Sequence, residues 1–540
     1  MSAKKPRLKS GFTLGGEQAE ADPLLSGAFF NSSDYDVIRS RSDPRCFIVG
    51  RTGAGKSAAF QKLEDEAQGH CIRINPEDLA LPYITDLGVI RYLDSLDVNL
   101  DLFWTALWKH VLLVEVLRHR YRVNEPAAKQ KFLDQIREKI TRDPAKQAAL
   151  DYLDEFEGRF WCEAEERVRD ITDKFTQTIG ADASLKAGPA GLGAAASAEI
   201  SSETRKEEAD RYQRVVNATQ ISKLNKMIAV LNEDVLDDQH FTYVVIDDLD
   251  RDWVDERLAN DLVRCLFRTV LDLKRVSNLK VLVALRTNLF QELDFGRRGG
   301  GQEEKFRSLV LRMRWTESDL EELLDERVRA AAPPLGLDAH SVRDLVPNPN
   351  RTRGSAINYI FDRTLLRPRD AIAFMNECLG TGVGKTRLSW EDIHSAEATY
   401  SANRLLALRD EWKTTYPGIA KVFDVFRGCQ ARMTMGEYTD RLDSAFLITT
   451  EPNFEGIAWM TDLSEAVWSS GKSSWAETYG PLSDLLYQLG LVGFAVGQTK
   501  APQFHSESPR LLGSAASMEK LSAAHVHRMY HAALDVRASS

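Results

Sequence analysis

CFIVGRTGAGKSAAFQK, residues 46–62, decides the fold of this chain. The apolar run at 46–49 has the length and composition of a buried strand, and a helical pattern opens at Ser57 after a single loop. Between them Gly50, Arg51, Thr52, Gly53, Ala54, Gly55, Lys56 and Ser57 match G-x-x-x-x-G-K-[ST] at every fixed position. Each fixed residue has a chemical reason. The glycines let backbone N–H groups curl around a β-phosphate, Lys56 reaches the β- and γ-phosphates, and the Ser57 hydroxyl ligates Mg2+. The helix start, which includes Ala58, favours an anion. Strand, loop and helix in this order predict a phosphate-binding unit with a nucleotide and Mg2+ as its cofactors.

Outward from that unit, the alternation in residues 71–75 predicts a second strand, and residues 241–246, FTYVVI, carry the strongest strand signal of the chain. An amphipathic helix over 259–273 and a further strand over 279–285 follow. Strands alternating with helices predict an α/β fold with a mostly parallel central sheet covered on both faces. The domain organisation predicted is a lead-in at 1–30, whose Pro23, Leu24, Leu25, Phe29 and Phe30 anchor on the first domain, then the core in two parts, 31–98 and 216–300. A charged helical insert at 99–215 interrupts the core. It contains a Gly/Ala-rich hairpin or loop at 181–200. A helical lid over 301–412 and a winged-helix-like C-terminal domain over 413–540 complete the chain, the latter because PLSDLLYQLGLVGFAVG places a helix before a β-ribbon.

The string YVVIDDLDR, residues 243–251, supplies the acidic half of the site. Asp247, at the carboxyl end of a central strand, is suited to hold Mg2+ through water, and Asp248 is placed to orient or deprotonate an attacking water, with Asp250 as the alternative base. Arg251 can order either acid through a bidentate pair. The strand over 279–285 ends in Arg286, Thr287 and Asn288, polar groups able to sense a γ-phosphate; Arg286 is preferred to Asn288. Arg367 and Arg369 begin a lid helix and are suited to approach the nucleotide, because an arginine at a helix start is unfavourable unless an anion lies near. If the protein self-associates, an arginine finger can come from Arg297, Arg298, Arg307, Arg312 or Arg314.

A second glycine string, LGTGVGKT at 379–386, has leucine where the first glycine belongs and follows a helical pattern, so it reads as a helix end and turn. His525, His527 and His531 lack a nearby third ligand and read as part of a capped terminal helix rather than a zinc site.

At 540 residues the chain is too long for one ordinary core, and 43% hydrophobic with 28% charged residues marks a folded chain. The six cysteines are scattered without C-x-x-C spacing and read as reduced, which with the absence of a secretory pattern or membrane-length run predicts a cytoplasmic protein. A net charge of −10 argues against a whole-surface nucleic-acid binder without excluding a local basic face.

The combination FIVGRTGAGKSA, a helical insert, YVVIDDLDR, LVALRTN and RPRDAIAFMN resembles the additional-strand (ASCE) division of bacterial P-loop ATPases. DDLDR is similar to the KAP family, while Arg286 and the C-terminal module look like STAND and AAA+ proteins. The resemblance implies ATP rather than GTP, phosphate binding at residues 50–57, metal holding by Asp247, hydrolysis by Asp248, sensing by Arg286 and lid contact by Arg367 or Arg369. KAP members often carry membrane helices in the insert and none is legible here, so no membrane is expected; Asp248 stands where the family usually has glutamate, and this shorter acid points to a slow or partner-activated switch. Such bacterial proteins commonly serve phage defence, signalling or mobile-element functions, and the partners expected are a second copy or another protein, with nucleic acid possible.

Overall fold

A computed structural model describes residues 7–76, 98–121, 134, 221–249, 256–293, 306–450, 458–469, 474–498 and 501–538. The expected hairpin at 181–200, and Asp250, Arg251, Arg297 and Arg298, lie outside the described residues. The chain forms two compact units, one of residues Asn31–Arg314 and one joining Met1–Phe30 to Trp315–Ser540.

In the Asn31–Arg314 unit the elements are α1 (Ser33–Arg39), β1 (Phe47–Gly50), α2 (Lys56–Glu66), β2 (Cys71–Ile74), α3 (Asp101–Tyr121), α4 (Ile221–Val230), β3 (Thr242–Ile246), α5 (Glu256–Leu273), β4 (Leu279–Arg286), α6 (Thr287–Glu292) and β5 (Val310–Arg312). The sheet order is β2-β3-β4-β1-β5, and every pair is parallel. β1, β3 and nearly all of β4 are buried, which explains why their sequences are continuous apolar runs rather than alternations. β5 was not foreseen; three residues at a sheet edge carry too little pattern to announce a strand.

α3, expected to open the insert, is a core helix buried around most of its circumference. It packs on α5, where Trp108 Nε1 donates to Leu262 O at 2.9 Å. Buried Asp101 receives both terminal nitrogens of Arg264, at 2.7 and 2.6 Å, and one from Arg268 at 2.7 Å. Burial works to raise the pKa of Asp101, yet these guanidinium groups hold its carboxyl below the usual range.

The second unit contains α7 (Glu317–Ala331), α8 (Val342–Leu345), α9 (Ala356–Phe361), α10 (Pro368–Thr381), α11 (Trp390–Trp412), α12 (Ile419–Asp424), β6 (Arg432–Thr434), α13 (Met435–Leu447), α14 (Ala458–Ser469), α15 (Trp475–Leu489), β7 (Val492–Val496), α16 (Ala515–Met518) and β8 (Leu521–Val526). Capping boxes start α7, α11, α13 and α15, pairing Thr316 with Asp319, Ser389 with Asp392, Thr434 with Glu437 and Ser474 with Glu477. The strands form an antiparallel sheet of order β6-β8-β7.

The lead-in, expected to anchor on the first domain, belongs to this second core: Leu8, Phe12 and Leu14 are buried among residues of α7, α10 and α11. Leu14 N donates to Asn376 Oδ1 at 2.8 Å, and Asn376 Nδ2 donates to Gly15 O at 2.9 Å. The terminal-helix reading of the histidines is also corrected. His525 sits in β8, and only a single 3-10 turn, Arg528–Tyr530, follows, with His527 as its cap.

Candidate phosphate-binding site

The carboxyl ends of parallel strands leave backbone groups and loop residues at one edge of the sheet, and residues 50–57 lie at that edge. Gly50 ends β1 in register with Arg286 of β4. A Cβ on Gly50 would sit 3.1 Å from the Ala54 Cβ and 3.5 Å from the Met313 Cβ, so a side chain there would press on the loop and require Ala54 to give way slightly. Gly53 and Gly55 have φ of 78° and 93°, the left-handed region that glycine enters without steric cost. Gly55 is the N-cap of α2, no side chain caps that helix, and its first turn holds no acidic residue. A helix start of this kind directs amide donors and the positive end of the dipole toward an anion. Lys56 Nζ arches back over the loop, donating to Gly50 O at 2.9 Å and Arg51 O at 3.3 Å. Arg51, Thr52, Ser57 and Ala58 are half-buried around it, and Ala54 is buried.

Two strands from the loop, β3 delivers Asp247, which is 4% exposed. The backbone N–H of Asp248 donates to Asp247 Oδ1 at 3.0 Å. Asp248 itself has φ 57°, a left-handed conformation uncommon for a non-glycine residue and the kind of local strain that gathers at functional sites. Arg73 of β2, which the sequence reading passed over, lies with Nη1 3.9 Å from Asp247 Oδ2 and anchors its Nε on Glu64 Oε1 at 2.6 Å. The signal was present: a charged residue at the third position of the Cys-Ile-Arg-Ile strand, in register with Val245 of β3.

Arg286 is half-buried at the end of β4, while the side chain of Asn288 lies outside the described residues. Arg307, Arg312 and Arg314 are exposed, Arg312 with its guanidinium 5.2 Å from the Phe290 ring centroid. Arg367 and Arg369 belong to the other compact unit. Arg367 N-caps α10 and makes a bidentate pair with buried Asp370 at 2.7 and 3.2 Å; Arg369 Nε donates to Glu17 O at 3.1 Å. The anion that an arginine at a helix start requires is supplied there by Asp370.

The donor set at the sheet edge fits a nucleotide with Mg2+: Ser57 offers a hydroxyl and Asp247 a buried carboxylate, both hard oxygen ligands. Among the described residues no group of three or more His, Cys, Asp or Glu is arranged to hold a metal ion. No helix among the described residues is long and apolar enough to cross a membrane.

Residues 318–409 match the family described as the FunZ-associated C-terminal helical domain. Over 520 residues, 91% of this chain, the sequence is 21% identical to the putative transposon gamma-delta 80.3 kDa protein of Escherichia coli (strain K12), and the match spans 63% of that protein's length. The Aeropyrum pernix ORC1 protein, solved in complex with DNA, aligns at a TM-score of 0.29 and 13% identity over 91% of this chain and 85% of that one, a likeness too loose to carry argument. The parallel sheet, the glycine loop between β1 and α2 and the strand-end aspartate together give the chain the architecture of the broad P-loop NTPase superfamily.

Proposed function

We propose that the protein binds ATP with Mg2+ and hydrolyses it slowly to drive a conformational switch. The observation that carries this reading is the loop itself, where two left-handed glycines, an uncapped helix start and Lys56 folded over the carbonyls of Gly50 and Arg51 converge at one sheet edge. In this reading Lys56 exchanges its two carbonyl partners for β- and γ-phosphate oxygens, and the first-turn amides of α2 cradle the anion. Ser57 and Asp247 hold the metal, and Asp248 positions the attacking water. Arg73, with Nη1 3.9 Å from Asp247 Oδ2, orients that carboxylate. Arg286, one strand from the loop, is the candidate γ-phosphate sensor. A lid role for Arg367 or Arg369 requires each to compete with its present partner, Asp370 or Glu17 O. ATP turnover and fluorescent-ATP binding by the wild type, Lys56→Ala and Asp248→Asn, across a protein concentration series, test the assignment: Asp248→Asn binds without hydrolysing, and Lys56→Ala does neither. Wild-type protein that binds no nucleotide in the presence of Mg2+ overturns it.

A second reading, a nucleic-acid-handling ATPase of a mobile element, draws on the transposon protein that resembles most of this chain. The antiparallel β6-β8-β7 sheet, whose first strand precedes α13, α14 and α15 and whose other two follow them, is also compatible with a winged-helix-like module. The chemistry of α15 opposes it, because that helix contains no lysine or arginine and turns Glu477 outward. Such a helix would meet phosphates with the wrong charge. A gel shift with DNA and RNA across a salt series, with and without ATP, separates the two readings.

A further inference from the structure

We propose that a cavity of about 660 Å³ in the second unit, walled by β8, the segment after β7 and the end of α9, binds a small molecule of mononucleotide size: an aromatic ring bearing one phosphate or carboxylate. The volume lies within the range of small-molecule sites.

The ring wall is built deliberately. Phe504 lies flat over the sheet at Gly493, where any Cβ would come within 2.6 Å of the Phe504 ring, so glycine is what admits the phenyl group. Bridging between Phe494 and Gln503 holds this segment to β7, with backbone hydrogen bonds of 3.0 and 2.8 Å. The phenyl ring meets the His527 imidazole edge to face at 4.6 Å. Phe361 and Pro502 extend the apolar lining.

The polar end lies where β6 and β8 pair. Arg432 stands in register opposite His525, and His525 Nε2 is shielded from solvent without a hydrogen-bond partner. Burial, then the Arg432 charge, holds the His525 imidazole below its ordinary pKa, and burial with Arg363 and Arg528 does the same to His531. The arginine charges add to burial at both imidazoles, a positive contribution that an anion offsets. The charge it accepts is limited. Asp362 is already paired with Arg528, and Glu317 and Glu507 also line the cavity. One anionic group is therefore favoured over a triphosphate, which separates this site from the glycine loop.

Backbone strain gives an independent mark. Leu366 lines the cavity with φ 49°, and its N–H donates to the buried Thr364 hydroxyl at 3.2 Å. Among the described residues three non-glycine positions have positive φ; one is Asp248 at the phosphate site and another is Leu366. A bulky residue is held there against its steric preference.

The test is calorimetric titration of the full-length Lys56→Ala chain, which removes the glycine-loop site from the measurement. The ligands are the four common nucleoside 5′-monophosphates, 2-naphthoate and inorganic phosphate. Saturable binding of a monophosphate or of naphthoate, weakened about tenfold by Arg432→Gln and unchanged by the half-exposed control Arg409→Gln, is expected, and which of the two binds identifies the anion. Binding seen only when Lys56 is intact, binding indifferent to Arg432→Gln, binding of inorganic phosphate as tight as that of any ring-bearing ligand, or no saturable binding at all overturns the proposal.

Discussion

Two strings in this chain differ by little and end differently: GRTGAGKS at 50–57 and LGTGVGKT at 379–386. The first leaves a buried parallel strand and opens α2. The second leaves the end of α10, and its Gly384 N–H and Lys385 carbonyl pair with Leu8, at 2.8 and 2.7 Å, to hold the lead-in. Lys56 folds over its own loop carbonyls, whereas Lys385 pairs with Asp392, the capping-box partner of Ser389 at the start of α11, at 2.7 Å. A Cβ at Gly50 would press on the loop itself, but one at Gly382 would strike Leu388 at 2.3 Å and Leu8 at 3.2 Å. A glycine-lysine string becomes a phosphate loop only when the strand before it and the helix after it aim the amides and the ammonium at one point. The same string after a helix is a clasp.

The sharpest way to break this contrast is to remove each lysine. Lys56→Ala lowers ATP turnover by at least about 10²-fold, roughly 2.7 kcal/mol of transition-state stabilisation, while Lys385→Ala leaves it within about twofold. Equal losses in a steady-state assay would sink the distinction. Next in size, Asp248→Asn lowers the rate by about 10²-fold or more with ATP binding retained, as loss of a base or water-orienting group does. Arg73→Ala acts through Asp247, and a titration of turnover against Mg2+ reads a loss of about tenfold in apparent metal affinity, the size found for partners of metal ligands.

What was legible in the sequence follows from the same physics. β1, its loop and α2 are contiguous, and so are β3 and Asp247; all four parallel strands foreseen are present, because the buried β1, β3 and β4 write themselves as apolar runs and the half-buried β2 as an alternation. What escaped was non-local or short. Arg73 reaches Asp247 only because β2 pairs with β3 across a long sequence gap. β5 is too brief to show a period, and Leu8, Phe12 and Leu14 look like sparse apolar residues in a polar tail until α10 and α11 supply their pocket. His525 was read into a terminal helix because His527 and His531, four apart, suit one helical face, but β8 pairs on both edges, with β6 and β7, and that pairing decides its conformation.

The clasp has its own measurable signature, smaller than the catalytic effects and confined to stability. Leu8 is 2% exposed, so Leu8→Ala destabilises the second unit by about 2–4 kcal/mol through lost burial and the cavity left behind, seen as earlier proteolysis of that unit with ATP binding preserved. The ion pair contributes less, and pH isolates it. Burial works to raise the pKa of Asp392, but Lys385 and the Ser389 amide and hydroxyl hold it below the ordinary carboxylate value. A carboxylate whose pKa is lower folded than unfolded adds stability that is present above about pH 4 and lost as pH falls through the folded value. Lys385→Ala removes one cause of that depression, so the folded pKa moves toward the unfolded one and less stability remains to be lost. Melting temperature followed from about pH 6 to about pH 2 therefore falls less steeply for Lys385→Ala than for the wild type, by an amount worth under about 1 kcal/mol because Lys385 is half exposed. Lys56→Ala leaves the Lys385–Asp392 pair intact and so keeps the contribution of that pair to the acid limb of the curve, and loss of that contribution would mean that the two lysines do the same work after all.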